Sequence, residues 1–262
     1  MIDVALTPEE VRGIPLAGVT AIVLDVVRAS TTIVTALAGG ARAVIPVSSP
    51  EEARSFRRQG HAGPVLIGGE RGGAPPTGFD CGNSPAEYTP DRVRGHTVVF
   101  TTTNGTRALL ALTGARRIAV GGFVNAAAVV RWTAAEPGDV LLVCSGERGR
   151  FCLEDAVCAG LLVSRLESLG STPPLTDAAR AARALWERYR NDLDAMLRDA
   201  TWAQALVTQG RGADLPLCVA LDVHGVVPVL RDGALVADRE SLTPLGPLRH
   251  NDLVTGSLGG EA

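Results

Sequence analysis

The feature that most constrains the fold of this chain is a repeated alternation of short apolar segments with helical segments rich in small residues. Runs such as "VTAIVLDV" and "GDVLLVCSG" predict buried strands, whereas "STTIVTALAGG" and "LEDAVCAGLLVSRLESLG" predict helices. Strands that are apolar along their whole length are typical of parallel sheets covered on both faces. The pattern therefore predicts a three-layer α/β/α fold with a largely parallel or mixed sheet.

A second level of repetition connects two parts of the chain. Residues 28–47 align with residues 102–121, so that Thr32 falls on Thr106 and both copies carry the tripeptide Gly-Ala-Arg before a predicted strand. Each copy combines a turn rich in hydroxyl side chains, a helix and a strand. We predict a single compact domain over residues 1–262, with two similar βαβ-containing halves, about 1–95 and 96–262, as one way of building it.

The alternation of predicted strands and helices ends after Pro174. The segment that follows predicts helices with an apolar stripe, which we expect to pack against the sheet. The stripe consists of Leu185, Trp186, Tyr189, Leu193, Met196 and Leu197. The later stretch "LPLCVALDVHGVVPVLRDGALV" predicts two closing strands in a hairpin.

Composition narrows the classes of function. The 262 residues have a net charge of −3 and contain no basic tract, which argues against nucleic-acid binding. No apolar run reaches the ~18 residues of a membrane span, and the N-terminus lacks a secretory signal pattern. The five cysteines are odd in number and have no C-x-x-C spacing, which indicates a cytoplasmic protein without a zinc site or disulfide framework. Lysine is absent, so every permanent side-chain cation is an arginine, which suits bidentate binding of oxyanions.

The segment "VVFTTTNGTRALLAL" places a hydroxyl-rich and amide-rich turn where a predicted strand passes into a predicted helix. Two interpretations remain open. Asn104 or a threonine could cap the helix, or the backbone N–H groups and hydroxyls could hold an anion that Gly105 allows to approach. Ligands of open α/β sheets bind at the carboxyl ends of strands. The loops "DVVRAST", "TTTNGT" and "CSGERGR" all follow predicted strands, so we expect them to face one crevice.

Charged residues in two loops indicate catalytic or ligand-binding roles. Asp25 follows a buried strand, where a lone carboxylate needs a partner or a cation, and Arg28 stands three residues further on. Glu70 and Arg71 lie between glycine pairs at the start of a long Gly/Pro-rich loop. Long loops of this kind are more often functional than filler.

The third loop allows a competing mechanism. Cys144 and Arg150 have the C-x5-R spacing of thiolate phosphatases, but no histidine precedes the cysteine and Glu147 would face the bound dianion. A buried structural cysteine is therefore the favoured interpretation. Glu154 and Asp155 begin the next helix, where acids suit the helix dipole, and such a pair also offers the hard oxygen ligands that Mg²⁺ prefers.

Six segments in order resemble the motifs of the 2-phosphosulfolactate phosphatase family. They are "DVVRASTTIVTAL", "GGERGG", "GFDCGNSPAEY", "TTTNGTRAL", "CSGERGRFCLEDAVCAG" and "LCVALDVHGVVP", and they span residues 25–228. Cys81 and Cys152 depart from the expected aliphatic residue and serine. The resemblance implies a three-layer α/β fold and a Mg²⁺-dependent phosphatase that converts 2-phospho-3-sulfolactate to 3-sulfolactate and phosphate, a step of coenzyme M biosynthesis.

The resemblance also implies a set of site residues, numbered here in this sequence. The expected catalytic residues are Asp25, Arg28, Glu70, Arg71, Asp80 and Arg148. The expected substrate-binding residues are Asn83, Ser84, Thr102, Thr103, Asn104, Gly105, Thr106 and Gly146. The expected Mg²⁺ ligands are Asp25, Glu154 and Asp155. The resemblance leaves open whether water attacks directly or Asp25 is first phosphorylated.

Alternatives to this function also remain open. The chain could be a thiolate phosphatase that uses Cys144 and Arg150, or a phosphometabolite-binding protein without turnover. A related phosphorylated acid could replace phosphosulfolactate as the substrate. The expected partner is a small anionic substrate, with neither nucleic acid nor membrane, and a homodimer is compatible with the sequence.

Overall fold

A mixed sheet of nine strands forms the centre of the fold within residues 1–59, 63–169 and 174–238, which the computed structural model describes. The strands are β1 Ile2–Ala5, β2 Thr20–Leu24, β3 Ala43–Pro46, β4 Val65–Gly69, β5 Thr97–Thr101, β6 Arg117–Gly121, β7 Val140–Cys144, β8 Val227–Arg231 and β9 Ala234–Asp238. Their order across the sheet is β1-β7-β2-β6-β8-β9-β3-β5-β4.

Ten α-helices accompany the sheet in the same described ranges. They are α1 Thr31–Ala38, α2 Pro50–Arg58, α3 Pro90–Val93, α4 Gly105–Ala111, α5 Ala126–Ala134, α6 Leu153–Glu167, α7 Asp177–Tyr189, α8 Leu193–Asp199, α9 Thr201–Thr208 and α10 Leu215–Cys218. Some begin at side-chain caps, such as Ser49, whose hydroxyl accepts a hydrogen bond from the Glu52 N–H at 3.1 Å. None of these helices has the length and apolar character needed to cross a membrane.

The helices cover both faces of the sheet. Ala21 and Val23 of β2 belong to one buried cluster, whereas Ile22 and Leu24 belong to another, because successive side chains of a strand point to opposite faces. Helices α1, α3 and α4 contribute to the first cluster, and α5 to α10 contribute to the second. A smaller cluster packs α2 against β4 and β5. The predicted three-layer α/β/α fold is confirmed.

The sheet consists of two parallel groups that run in opposite directions. Strands β1, β7, β2 and β6 are mutually parallel, and β3, β5 and β4 form a second parallel group. The antiparallel hairpin of β8 and β9 lies between them and pairs with each group in antiparallel sense at one residue pair, Ala119 with Val229 and Val44 with Leu235. Three antiparallel steps therefore separate β6 from β3, which reverses the direction of the second group.

The carboxyl ends of both groups nevertheless meet. Val23, Pro46, Phe100 and Val120, from the ends of β2, β3, β5 and β6, line the same small cavity. A flat sheet with these strand directions would place the ends of the two groups at opposite edges. The sheet is therefore strongly twisted between the groups, as twisted sheets allow, and this twist brings the loops after β2 and β5 together.

Some sequence-based assignments differ from the structure. Residues 215–218 form α10 rather than a strand, although β8 and β9 form the predicted hairpin. The segment after Pro174 forms three helices, with Asp192 capping α8 through the N–H of Ala195 at 2.8 Å. Its apolar stripe packs onto α6 as well as β1, and Gly160 of α6 is so close to the Ala182 carbonyl that no side chain would fit. Gly170, the last residue of the predicted helix "LEDAVCAGLLVSRLESLG", lies outside the described residues.

Candidate active site

A group of carboxylates converges at the ends of three strands and the start of one helix. Asp25 follows β2, Glu70 follows β4, Glu147 lies in the loop after β7, and Glu154 and Asp155 belong to the first turn of α6. We call these five residues the acidic cluster. Burial, together with the charges of Glu70, Glu147 and Glu154, raises the pKa of Asp25 to about 7. Asp25, Glu70 and Glu147 all lie against the short loop 103–105, which contacts each of them.

Asp155 is the most firmly held member of the acidic cluster. Its two carboxylate oxygens accept hydrogen bonds from the backbone N–H groups of Val26 at 2.8 Å and Gly146 at 3.1 Å. It thereby joins the loops after β2 and β7. Burial raises its pKa well above the usual range, and the charges of Asp25 and Glu154 act in the same direction. Gly146 was predicted to bind substrate, but its N–H is used here to hold Asp155.

Glu154 differs from the other members because its carboxylate has no partner. The side chain is 2% exposed, and neither of its oxygens has a hydrogen bond within the described part of the chain. Burial raises its pKa to about 7, and the charge of Glu147 contributes. A buried carboxylate without a partner is unfavourable unless it is neutralised or bound to a cation. Of the acidic cluster, Glu154 is therefore the residue best suited to bind a cation.

Glu70 connects two of the predicted loops. One of its carboxylate oxygens accepts a hydrogen bond from the Thr103 N–H, and the other accepts one from the Gly73 N–H, both at 2.7 Å. The side chain is 7% exposed. The "GGERGG" and "TTTNGT" motifs are therefore fastened to each other through this carboxylate.

Asn104 does not cap helix α4, so the capping interpretation is wrong for this residue. Its side-chain amide nitrogen donates to a Glu147 carboxylate oxygen at 2.6 Å, and its amide oxygen accepts from the Arg148 N–H at 3.2 Å. Gly105 lies against Asp25, since a Cβ at this position would be 2.9 Å from Oδ2 of Asp25. The loop thus contacts the acidic cluster directly, and a side chain at position 105 would disturb Asp25.

The threonines of this loop differ in their hydrogen bonding. The Thr106 hydroxyl oxygen accepts a long hydrogen bond of 3.4 Å from the Thr102 N–H, which closes the turn. The Thr103 hydroxyl and the Ser145 hydroxyl are buried and have no partner in the described part of the chain. Such groups are available to a ligand that carries oxygen atoms.

The three arginines that were predicted to be catalytic differ in exposure and in their partners. Arg28 is buried and is paired with Asp214 at 2.7 Å, so its charge is already neutralised. Arg71 donates to the carbonyl oxygens of Glu70 and Ser48 and to the Thr101 hydroxyl. Arg148 is exposed, and its side chain contacts the Glu147 carboxylate at 3.2 Å. Of these three arginines, Arg148 is the one whose guanidinium remains accessible to a substrate.

The predicted site residues of the long loop after β4 make structural contacts rather than contacts with the acidic cluster. Asp80 was predicted to be catalytic, but its carboxylate pairs with Arg57 and accepts a hydrogen bond from the Ile67 N–H, which holds the loop against β4 and α2. Ser84 donates to Asp214 at 2.5 Å. The Asn83 carbonyl accepts from the Thr32 hydroxyl. The structure therefore does not bring Asp80 into the acidic cluster.

The acidic cluster could supply some of the ligands of a Mg²⁺ ion, with water and the substrate supplying the others. Among the described residues, no three His, Cys, Asp or Glu side chains form a complete metal-binding group. Mg²⁺ is commonly held by one or two carboxylates, with water and substrate phosphate completing the octahedron. Glu154 has two unpartnered oxygens and Asp25 is partly exposed beside it, so these residues fit that requirement.

Two residues of the site were not predicted as site residues. Glu147 and Glu70 occupy the same position in two copies of the tetrapeptide Gly-Glu-Arg-Gly, each of which lies at the end of a strand. This repeat could have identified Glu147. Asp214 has no local signal of this kind. It lies between α9 and α10 and is recognisable only by its contact with Arg28.

The fold and the site define a three-layer α/β protein with an acidic site at its strand ends, and comparison with known proteins makes the assignment more specific. The family model described as 2-phosphosulpholactate phosphatase matches residues 5–233. A probable 2-phosphosulfolactate phosphatase of Symbiobacterium thermophilum is 42% identical over 221 residues, covering 84% of this chain and 95% of the relative. One from Thermotoga petrophila is 41% identical over 236 residues, with coverages of 90% and 98%. The chain belongs to the 2-phosphosulfolactate phosphatase family.

Proposed function

We propose that the protein is a Mg²⁺-dependent phosphomonoester hydrolase that converts 2-phospho-3-sulfolactate to 3-sulfolactate and phosphate. Family membership and the names of the relatives support the substrate. The single observation that carries the metal dependence is the buried, unpartnered carboxylate of Glu154 within the acidic cluster. A cation there would offset both its burial and the repulsion among its neighbours.

In this proposal Asp25 and Glu154 hold Mg²⁺, while Asp155, predicted as a third ligand, orients the loops beside them through its two backbone hydrogen bonds. Bound Mg²⁺ would neutralise charge on the phosphoryl group and lower the pKa of a water molecule. The chain supplies the orientation of these ligands. The Ala29 N–H contacts Asp25 at 3.3 Å and leaves the other oxygen of this carboxylate next to Gly105. Ligands held by the backbone need little reorganisation when the substrate binds.

The loop 102–106 and Arg148 are the proposed substrate contacts. An amide nitrogen carries two hydrogens; Asn104 gives one of them to Glu147, and the second is proposed to bind a phosphate oxygen. The unpartnered Thr103 hydroxyl is a further donor. The exposed guanidinium of Arg148 suits the sulfonate or carboxylate of the substrate, since planar guanidiniums bind oxyanions through paired hydrogen bonds.

We expect the purified protein to release phosphate from 2-phospho-3-sulfolactate when Mg²⁺ is present. Release should stop in EDTA and return with excess Mg²⁺, because phosphoryl transfer depends on neutralisation of charge. The measurement is phosphate release, with phospholactate as the matched substrate that lacks the sulfonate. Calorimetric binding of phosphosulfolactate without phosphate release would instead support the phosphometabolite-binding function.

The thiolate mechanism is the second candidate, and the environment of Cys144 argues against it. The thiol is buried at the end of β7, and burial raises its pKa well above the usual range, with the charge of Asp155 adding to the effect. Nucleophilic cysteines need the opposite shift. All five cysteines are buried and free of disulfides, so none of them presents an exposed thiolate to a substrate.

We expect Cys144→Ser to retain most of its turnover, because a Mg²⁺ enzyme does not use this thiol. Melting temperature is measured on the same sample, since a buried hydroxyl without a partner destabilises by roughly 1–3 kcal/mol. Cys158→Ser is the matched control, as Cys158 is buried in α6 and its pKa is also raised by burial. Loss of turnover in folded Cys144→Ser, with normal turnover in Cys158→Ser, would restore the thiolate mechanism.

A further inference from the structure

Asp214 joins three segments that surround the acidic cluster. It lies between α9 and α10 and is 7% exposed. One carboxylate oxygen accepts from the Arg28 guanidinium at 2.7 Å, and the other accepts from the Ser84 hydroxyl at 2.5 Å. Arg28 belongs to the turn after β2 and Ser84 to the end of the long loop. A single carboxylate thus connects residues that are remote from one another in sequence.

The connection continues to Glu70 through Gly73. The second guanidinium nitrogen of Arg28 donates to the Gly73 carbonyl oxygen at 2.9 Å. The N–H of the same Gly73 donates to a Glu70 carboxylate oxygen at 2.7 Å. Arg28 holds one end of this glycine and Glu70 is held by the other. The Arg28 guanidinium is 4% exposed, so these contacts are not weakened by competition with solvent.

The backbone at Gly73 needs this kind of support. Its φ is +86°, a conformation that glycine adopts readily, and it directly follows another glycine, Gly72. A segment of this composition has little intrinsic preference for one geometry. Backbone hydrogen bonds between Arg71 and Ala74 close this turn. The contact of the Gly73 carbonyl oxygen with Arg28 attaches the turn, and with it the N–H that holds Glu70, to the segment after β2.

We propose that Asp214 is a positioning residue that fixes the Glu70 carboxylate beside the acidic cluster, acting through Arg28 and Gly73. This inference rests on the proposed function for its kinetic consequences, although the structural connection itself is independent of turnover. Asp214→Asn keeps the shape of the side chain and removes its charge. The Arg28 guanidinium then loses its anion, and the Gly73 segment loses its fixed orientation.

A double-mutant cycle on kcat tests the proposal. We expect Asp214→Asn to lower kcat by about 10-fold or more with a smaller change in KM, as for other residues that orient a site through an intermediary. In the Glu70→Gln background the same change should have almost no effect, because the residue that it positions is already lost. An equal fold-loss in both backgrounds would show a general structural role and overturn the proposal.

Asp222→Asn is the matched control. Asp222 also accepts from a guanidinium, that of Arg165 at 2.7 Å, and from a backbone N–H, that of Ala127, but it contacts none of the loops of the acidic cluster. Its removal should lower the melting temperature without changing kcat. If Asp214→Asn does not fold, the double variant Arg28→Met with Asp214→Leu removes both charges and leaves no unpaired ion; it should show the same dependence on Glu70.

Amide hydrogen exchange provides a readout that does not require turnover. Exchange at the Gly73 and Thr103 N–H groups, which hold Glu70, should be faster in Asp214→Asn and unchanged in Asp222→Asn. Unchanged exchange in folded Asp214→Asn would overturn the proposal. If the wild-type protein releases no phosphate, the proposed function fails, while the exchange result still decides whether Asp214 positions Glu70.

Discussion

Glu154→Gln is expected to lose more than ~10²-fold of the Mg²⁺-dependent turnover, since changes even to residues that only support metal ligands typically lose 10–100-fold. The reason is the special environment of Glu154, a buried carboxylate that has no hydrogen-bond partner in the described part of the chain. Glutamine has nearly the same shape but no charge, so the packing of α6 is preserved while the attraction for the cation is removed. The measurement is phosphate release over a range of Mg²⁺ concentrations.

Although Glu154→Gln should lower turnover, it should not lower the stability of the fold when metal is absent. Because the folded pKa of Glu154 is raised to about 7 from an ordinary 4.5, its burial destabilises the fold increasingly as pH rises through this range, and fully at pH 8. In EDTA at pH 8, Glu154→Gln should therefore melt at the same temperature as wild type or higher. Saturating Mg²⁺ should raise the wild-type melting temperature by roughly 5–10 °C and leave the variant unchanged.

Glu167→Gln is the control for both measurements. Glu167 lies in the last turn of the same helix and pairs with Arg183 at 2.9 Å, away from the acidic cluster. It should keep both the Mg²⁺-induced stabilisation and the turnover of wild type. If Glu154→Gln shows the same Mg²⁺-induced rise in melting temperature as wild type, Glu154 is not a metal ligand.

Asn104→Ala is expected to lower kcat by ~10²–10³-fold, the usual effect of removing a donor that stabilises developing charge on oxygen. The Asn104 side chain contacts Glu147 and the Arg148 N–H rather than the helix backbone, so its removal takes away no helix cap. The loss should therefore fall on turnover, with little change in melting temperature. Both quantities are measured on the same preparation.

Ser49→Ala provides the comparison for Asn104→Ala. Ser49 caps α2 through the Glu52 N–H, and the loss of such a cap reduces stability by ~1 kcal/mol. This control should melt at a lower temperature and turn over normally. If Asn104→Ala behaves in the same way as Ser49→Ala, the loop 102–106 does not bind phosphate, and the phosphate site must lie elsewhere around the acidic cluster.

The positions of most strands and helices could be predicted because their signals are local. β2 and β7 are entirely buried and, apart from Thr20 at the start of β2, apolar, and α2 begins after a serine followed by proline. The prediction failed at residues 215–218, where four residues are too few for a period to distinguish a buried strand from a helical turn. It also missed the breaks between α7, α8 and α9, where the apolar stripe continues across the ends of the helices.

The members of the candidate site could be predicted only in part. Asp25 could be predicted because a carboxylate after a buried strand needs a partner, and Glu70 because it lies in a glycine-rich loop. Glu154 and Asp155 could be predicted because an acidic pair at a helix start suits Mg²⁺. The structure joins the loops around these residues through backbone contacts to Asp155 and Glu70. The resemblance also implied Asp80, whose partner is the arginine Arg57. A carboxylate in a loop looks the same in sequence whether its partner is a cation, a backbone N–H or an arginine, so the chemical role could not be derived from residue type alone.

The sequence by itself determined the local elements, the three-layer class of the fold and, through six ordered motifs, the family. Only the tertiary structure decided which side chains meet. Arg28 is separated from Asp214 by 186 positions, and no periodicity or motif connects them. The prediction that the loops face one crevice assumed strands of one direction, whereas the two parallel groups run oppositely and their ends meet through the twist at the β8–β9 hairpin. Local patterns arise from each segment's own burial, but convergence depends on pairing between segments that are distant in the chain.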